Sequence, residues 1–567
     1  MRPRIPRGEG LTLAALLVWA AGLFLLPLAL LAWVGLTAQG APSLSPIVEV
    51  LGSASVRRAF WHSLESAGMS GLGALAVGTA LALLIGLTDV RGKGAFVFLL
   101  LLPMMIPPQV TAIAWIQALG PGSPVLGWVG LAPAPGSDHP LYSGGGVMAL
   151  LTLQHMPLVL LLILAALRAL PRELTEAARI AGAGPGRVLR RVLLPLLAPS
   201  LVAAFALAFV SALGNFGIQA ILGIPARYTT LPVLIWRRLS GFGPSVLGDV
   251  AAISFLLAII AIAAISAQLM LQRRLRSQVT GPPAQSLRIR LGRLRPVAEA
   301  GLMLYVGATL LLPLASLVAT ALVPTYGVPL TRETLTWGNF AEILFRQEAT
   351  IRAFANSTLT AGAAALALAM LAGLTAYFLS RRDVARRRAA GAIAVLGDVS
   401  YAIPGLVISI AFILAFIRPL PLVGVSLYNT LGIIFLAYLT AFFAIALKPV
   451  TAAYAQLDPA LDDAARVAGA GFGRRLWRVF TPMVAPAAAS GAILVFLTAY
   501  NEVTVSALLW STGNETIGTQ IFNYEDGGYT TLAAALSSVT VLATVVLMAV
   551  LDRVGRRLPP GVVPWRV

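Results

Sequence analysis

Twelve apolar runs, each long enough to cross a bilayer, leave this chain few folds to choose from. A hydrocarbon core about 30 Å thick needs about 20 helical residues to span it. Runs of that order lie near 11–37, 64–88, 95–119, 146–169, 196–222 and 248–271, and again near 298–323, 354–380, 391–417, 427–449, 483–510 and 530–551. Lipid offers the backbone no hydrogen-bond partner, so such runs predict helices, and the expected fold class is all-α: a polytopic membrane protein of about twelve transmembrane helices. Only 11% of the 567 residues are charged, against roughly 25% in soluble domains. Most of the chain therefore belongs in lipid.

The charges that remain fix an orientation. A net charge of +19 raises the question of nucleic acid, but the basic residues fall in short clusters between the apolar runs, the pattern of the positive-inside rule. With a cytoplasmic N-terminus, alternate loops hold 32 of the 41 Lys and Arg residues. An even number of spans returns the basic tail from Arg553 to the same side, so both termini are expected in the cytoplasm and no nucleic acid is expected as a partner. The run Leu11–Leu36 follows Arg2, Arg4 and Arg7. It exceeds the roughly 7–15 residues of a signal h-region and reads as a retained span, with cleavage near Ala38-Gln39-Gly40 as the alternative.

The two sets of six runs repeat in sequence. Arg58-Ala59-Phe60 leads into the second run and Arg352-Ala353-Phe354 into the eighth; Ile106-Pro107-Pro108 breaks the third and Ile403-Pro404-Gly405 the ninth. Two parallel six-helix repeats imply a pseudo-two-fold axis along the membrane normal and a pathway between them. The expected domains are a first half over 1–272, a basic cytoplasmic linker over 273–297 broken at Gly281-Pro282-Pro283, and a second half over 298–567.

The sharpest motif follows the fourth run of each half, over 173–195 and 460–482. Glu176-Ala177-Ala178 precedes Gly182, and Asp463-Ala464-Ala465 precedes Gly469; thirteen residues beyond each glycine stand Pro195 and Pro482. On a short helix Leu174, Ala178 and Ala181 share a small apolar stripe that would admit another protein closely. Glu176 offers an anion to a partner's arginine. Gly182, Gly184 and Gly186 permit a sharp turn, and Pro195 suits the first turn of the next helix.

This motif, present twice at equivalent places, resembles the EAA loop of the permeases of binding-protein-dependent ABC importers. The resemblance implies a fused permease whose two loops, at Glu176, Ala177, Ala178, Gly182, Asp463, Ala464, Ala465 and Gly469, dock into two copies of an ABC ATPase subunit. It also implies a soluble substrate-binding protein as partner and a place in the bacterial inner membrane. Asp463, where the family usually carries Glu, shortens the second contact. No Gly-x-x-x-x-Gly-Lys-Ser/Thr loop occurs, and the chain has two lysines, Lys93 and Lys448, so ATP is expected to be used by a partner subunit rather than by this chain. No catalytic residue and no bound cofactor are expected. With no cysteine and with histidines scattered at 62, 139 and 155, no metal site is expected either.

Polar residues within apolar runs are functional candidates. Asn215 and Glu502 each lie twenty residues past the aligned prolines, about 30 Å along a helix from the cytoplasmic face. With Ser211, Phe216 and Gln219 in one half and Tyr500, Asn501 and Thr504 in the other, they are expected to line or close an outer gate; helix capping in the outer headgroup region is the plainer reading. Asp398 reads as satisfying backbone donors freed by the break at Pro404, and Gln154 with His155 as packing. The twelve-span layout and the stretches Gly214–Pro225, Glu502–Leu509 and Gly513–Thr516 resemble the ferric-iron permeases, with thiamine and aminoalkylphosphonate permeases as alternatives. A twelve-helix secondary transporter is the alternative of a different class. It would have no use for two matched coupling loops.

Overall fold

The computed structural model describes residues 7–38, 41–134, 136–170, 172–241, 246–275, 289–419, 424–458 and 460–555. Arg2 and Arg4, the break at Gly281-Pro282-Pro283 with Arg276 and Arg288, and the tail from Arg556 lie outside the described residues. Ten expected spans are helices long and apolar enough to cross a membrane: Gly8–Gly35, Ala54–Leu87, Gly144–Ala169, Pro185–Leu213 and Val246–Leu275 as spans one, two, four, five and six, then Gly292–Ala321, Glu348–Leu379, Leu431–Ala455, Phe472–Tyr500 and Thr530–Arg553 as spans seven, eight, ten, eleven and twelve.

Spans three and nine are bent pairs: Lys93–Met105 with Pro108–Trp128 at 103°, and Val384–Ala402 with Gly405–Phe416 at 113°. A proline pushes the residue before it out of the helical region. Ile106 and Ile403 accordingly sit extended, at ψ 133° and 132°. The third span still joins both faces. Near its start the Leu87 carbonyl accepts from the amide of Ile289, which precedes span seven, and near its end a Cβ on Gly122 would meet Gly327, which follows span seven, at 3.1 Å.

A second proline effect recurs in spans one, five, seven and eleven. π-turns occupy Ala21–Leu25, Leu189–Leu193, Gly307–Leu311 and Leu476–Phe480, and each ends two residues before a proline: Pro27, Pro195, Pro313 and Pro482. Proline has no N–H and its ring collides with the carbonyl four residues back; a wider turn moves that carbonyl aside and keeps the span continuous. Pro195 thus lies inside a span rather than in its first turn, and Pro185 takes the helix-starting place instead.

Each half is a bundle of closely approaching helices. A Cβ on Gly78 of span two would lie 2.8 Å from Val159 of span four, and one on Gly491 of span eleven 3.0 Å from the Ala446 carbonyl of span ten. Small residues let helix backbones come together where lipid supplies no hydrophobic drive. The first span of each half also packs on the other half. Trp19 and Phe24 meet Phe443 of span ten at ring-centroid distances of 5.1 and 5.6 Å, and Thr440 bonds the Leu23 carbonyl at 3.3 Å. Span seven reciprocates against Pro108–Leu119.

Candidate functional site

Two short helices, Arg172–Ile180 and Ala460–Val467, stand in the two repeated loops. Both end in the same hydrogen-bonded turn: Gly182 and Gly469 adopt φ +80° and +75°, their amides bond to Arg179 and Arg466, and the next amides bond to Ala178 and Ala465. Only glycine takes such a conformation without strain. Gly184 has φ −68° and Gly186 is helical, so one glycine of the expected three makes the turn. Glu176, Ala178 and Ala465 are half-buried, whereas Ala177, Asp463 and Ala464 are exposed. The exposed apolar stripe is also shifted. Ile180 and Val467, at equivalent positions, are 89% and 91% exposed, with Ala177 and Ala464 one turn before them. Asp463 pairs with Arg382 at 3.4 Å on the surface. Its neighbour Asp462, which sequence reasoning passed over, is held by Arg381, by Arg475 at 2.7 Å and by Arg466 at 2.9 Å. Burial raises its carboxyl pKa, and the three guanidiniums more than reverse this, leaving it below the ordinary value of 3.8.

From each loop a single helix of 29 residues, Pro185–Leu213 or Phe472–Tyr500, leads to the predicted gate residues. Asn215 Oδ1 accepts from the amide of Ile218 at 3.0 Å and caps the helix Gly217–Gly223. Glu502, its counterpart, accepts from the amides of Val505 and Ser506 and caps Ser506–Leu509. Both accept from the amides that open a short helix; Asn215 is buried, and Gln219 behind it bonds the Ala212 carbonyl at 2.8 Å and Thr230 at 2.6 Å. Phe216 is enclosed by Trp236 and Phe522, at 6.0 and 5.3 Å between ring centroids. Tyr500 stacks on Phe496.

These turns meet the broken spans across the pseudo-two-fold axis. Asn501 Nδ2 donates to the Met105 carbonyl at 3.1 Å, just before the break in span three. A Cβ on Gly214 would meet Pro404, at the break in span nine, at 3.1 Å. The segment Glu502–Leu508 separates two cavities. On one side Ser211, Glu502, Thr504 and Val505 line a space of about 640 Å³ between the halves; on the other Val503, Ala507 and Leu508 line one of about 390 Å³.

Asp398 also faces the larger cavity, paired with Lys448 at 3.6 Å, while Lys448 lies 5.5 Å from the Tyr401 ring. It does not serve the break at Pro404 as expected. In the other half it is the carbonyls at the break that are satisfied, by Gln154, whose amide donates to those of Pro103 and Ile106 at 3.1 and 3.3 Å. His155 bonds the Leu151 carbonyl of its own helix.

A further repeated contact escaped the sequence reading. Ser63 and Ser357, at the same place in spans two and eight, accept from the amides of Leu231 and Ile517 at 2.7 and 2.9 Å. Each anchors the start of a helix, Leu231–Leu239 or Ile517–Asp526. The paired Arg-Ala-Phe motifs a few residues upstream were the signal that could have led to them.

Residues 74–277 and 369–564 each match the family described as binding-protein-dependent transport system inner membrane component. The chain is 25% identical over 479 residues to the Sinorhizobium fredii protein named "Probable ABC transporter permease protein y4fN", covering 83% of this chain and 82% of that one. It is 24% identical to the ferric transport system permease protein FbpB of Actinobacillus pleuropneumoniae, over 89% of this chain and 72% of the relative. The molybdenum transport system permease protein ModB of Escherichia coli is 29% identical over 36% of this chain and 87% of its own length.

Proposed function

Since this chain belongs to the family of binding-protein-dependent transport system inner membrane components, with the family unit present twice, we propose that it forms the entire transmembrane pathway of an ABC importer for ferric iron. Its role as a multi-pass permease subunit follows from the family, as does its dependence on an ATPase and a substrate-binding protein. The reading adds two ATPase copies, one on each of the helices Arg172–Ile180 and Ala460–Val467, cytoplasmic termini, and a gate at the turns after spans five and eleven.

The observation that carries the gate reading is the partition between two cavities, built on the Glu502 cap and joined directly to a coupling loop. A 29-residue helix transmits a displacement at one end over about 43 Å to the other, at 1.5 Å per residue. Closure of the ATPases would shift the coupling helices, spans five and eleven would carry the shift, and the turns at Asn215 and Glu502 would part. Alternating access then needs no chemistry in this chain; ATP is hydrolysed by the partner.

Ferric iron is favoured by coverage. The ferric relative aligns over 89% of this chain, whereas the molybdenum relative aligns over 36%, less than one half. Uptake by the importer reconstituted with its ATPase and binding protein, offered ferric iron, molybdate, thiamine and an aminoalkylphosphonate in parallel, tests the choice. Accumulation of ferric iron is expected; accumulation of another of the four without iron would reassign the cargo.

A further inference from the structure

We propose that Glu9, in the first turn of span one, is a positioning residue for the coupling helix of the opposite half, Ala460–Val467. The proposal takes from the reading above only that this helix contacts an ATPase. Glu9 is 1% exposed. One carboxylate oxygen accepts from Arg386, and the other from Arg475 and from the Tyr377 hydroxyl at 3.2 Å. Arg475, itself 2% exposed, passes its other nitrogen to Asp462 in the coupling helix at 2.7 Å. Arg381 closes the cluster from the far side: it bonds the second oxygen of Asp462 and lies 3.7 Å above the Tyr377 ring. A continuous chain of charge-assisted bonds thus runs from the first half's opening helix, through span eleven, to the second half's coupling helix.

Ions this deeply buried are tolerated only while every partner is in place, and removing one leaves uncompensated charge that the surroundings must move to relieve. Here four guanidiniums, counting Arg466, surround the carboxylates of Glu9 and Asp462, with the more exposed Asp383 beside Arg386 at 3.4 Å. Loss of Glu9 leaves Asp462 as the one anion shared by Arg381, Arg466 and Arg475. The geometry is therefore a lock on the position of Ala460–Val467 relative to spans one, eight, nine and eleven.

The repeat does not carry the same residues at the aligned positions of the other half. With Arg58 aligned to Arg352, the counterparts of Tyr377, Arg381 and Arg386 are Leu83, Leu87 and Gly92; with Gly182 aligned to Gly469, those of Asp462 and Arg475 are Thr175 and Val188. With Pro27 aligned to Pro313, the counterpart of Glu9 is Arg295, which pairs with Asp89 at 3.9 Å and with Glu299 at 2.9 Å. Of the lock's charges on the coupling side, only Arg466 has a charged counterpart, Arg179, so the aligned positions differ in charge between the two coupling helices.

The chain contains no cysteine, so single cysteines can be spin-labelled without background. A nitroxide is placed at Val467→Cys or Ile180→Cys in the full chain in lipid nanodiscs, and its mobility is read by electron paramagnetic resonance. Glu9→Gln is expected to shorten the rotational correlation time at 467 roughly twofold and to leave the label at 180 unchanged. Arg295→Gln is expected to leave 467 unchanged. Should Glu9→Gln fail to assemble, the pair Glu9→Gln with Arg386→Gln, which removes one charge of each sign, is expected to give the same local loosening. Unchanged mobility at 467, or equal loosening at 467 and 180, overturns the proposal. The coupling reading is tested apart from it, by whether Asp463→Ala weakens copurification with the ATPase.

Discussion

Glu502 shows how much one side chain in this membrane can be asked to hold. Its carboxylate accepts two backbone amides, Val505 and Ser506, where Asn215 accepts one, Ile218. A lost cap costs about 0.5–2 kcal/mol, and a buried donor left without a partner costs about 1–3 kcal/mol. Glu502→Ala, which strands two amides, is therefore expected to loosen the partition between the cavities more than Asn215→Ala does. In proteoliposomes containing the whole importer, uptake should fall about tenfold or more in Glu502→Ala while ATP hydrolysis continues. Asn215→Ala should lose less, and Glu502→Gln, which keeps one acceptor oxygen, should lie between. Unchanged uptake in Glu502→Ala would remove the gate assignment. That Asn215 and Glu502 correspond was legible from their equal distance past Pro195 and Pro482. Their caps could not be read, because a cap depends on where the next helix begins. Nor could the role of Asp398, since no spacing rule connects it to Lys448, fifty residues on, across the cavity.

At the scale of elements, proline and glycine account for most of what the sequence foretold and for most of what it missed. The breaks at Pro107 and Pro404 were legible because two prolines, or a proline and a glycine, leave a helix no way through. The π-turns before Pro27, Pro195, Pro313 and Pro482 were not, since an isolated proline permits a break, a kink or a widened turn, and packing decides among them. The coupling turns rest on a single glycine each. A Cβ on Gly182 or Gly469 would meet nothing within 4 Å, so alanine fits in space and pays only the backbone cost of a left-handed conformation, about 1–2 kcal/mol. Gly182→Ala and Gly469→Ala are thus expected to leave the transmembrane bundle intact and to weaken association with the ATPase by about tenfold, the equivalent of 1.4 kcal/mol. Titration of each variant with ATPase would measure it. Wild-type affinity in both would mean that the turn does not set the docking geometry.

The whole molecule is two bundles that trade their first helices, and here the sequence was silent. Repeats and span count establish that there are two halves; neither says which half a given apolar face will cover. The trade follows from contacts: Trp19 and Phe24 against Phe443, Thr440 on the Leu23 carbonyl, and span seven against Pro108–Leu119. In lipid there is no hydrophobic penalty for leaving such a face bare, so the halves are held by close packing and by the ion clusters at Glu9 and at Asp89. A chain cut between residues 280 and 281 would then still assemble, because each fragment contributes a helix to the other's bundle. Fragments 1–280 and 281–567, expressed together with a tag on one, are expected to copurify and to support ATP-driven uptake. Expressed alone, each has its opening helix without the contacts it makes on the other half, so neither should bind ATPase with native affinity. Glu9→Gln in the cut pair should weaken copurification further, since the covalent link no longer supplies the effective concentration that masks a weakened contact. Independent, fully active fragments would mean that the exchanged helices are incidental to assembly; an interdependent pair would make the fused chain one mechanical unit, with a coupling helix of the second half governed from the first.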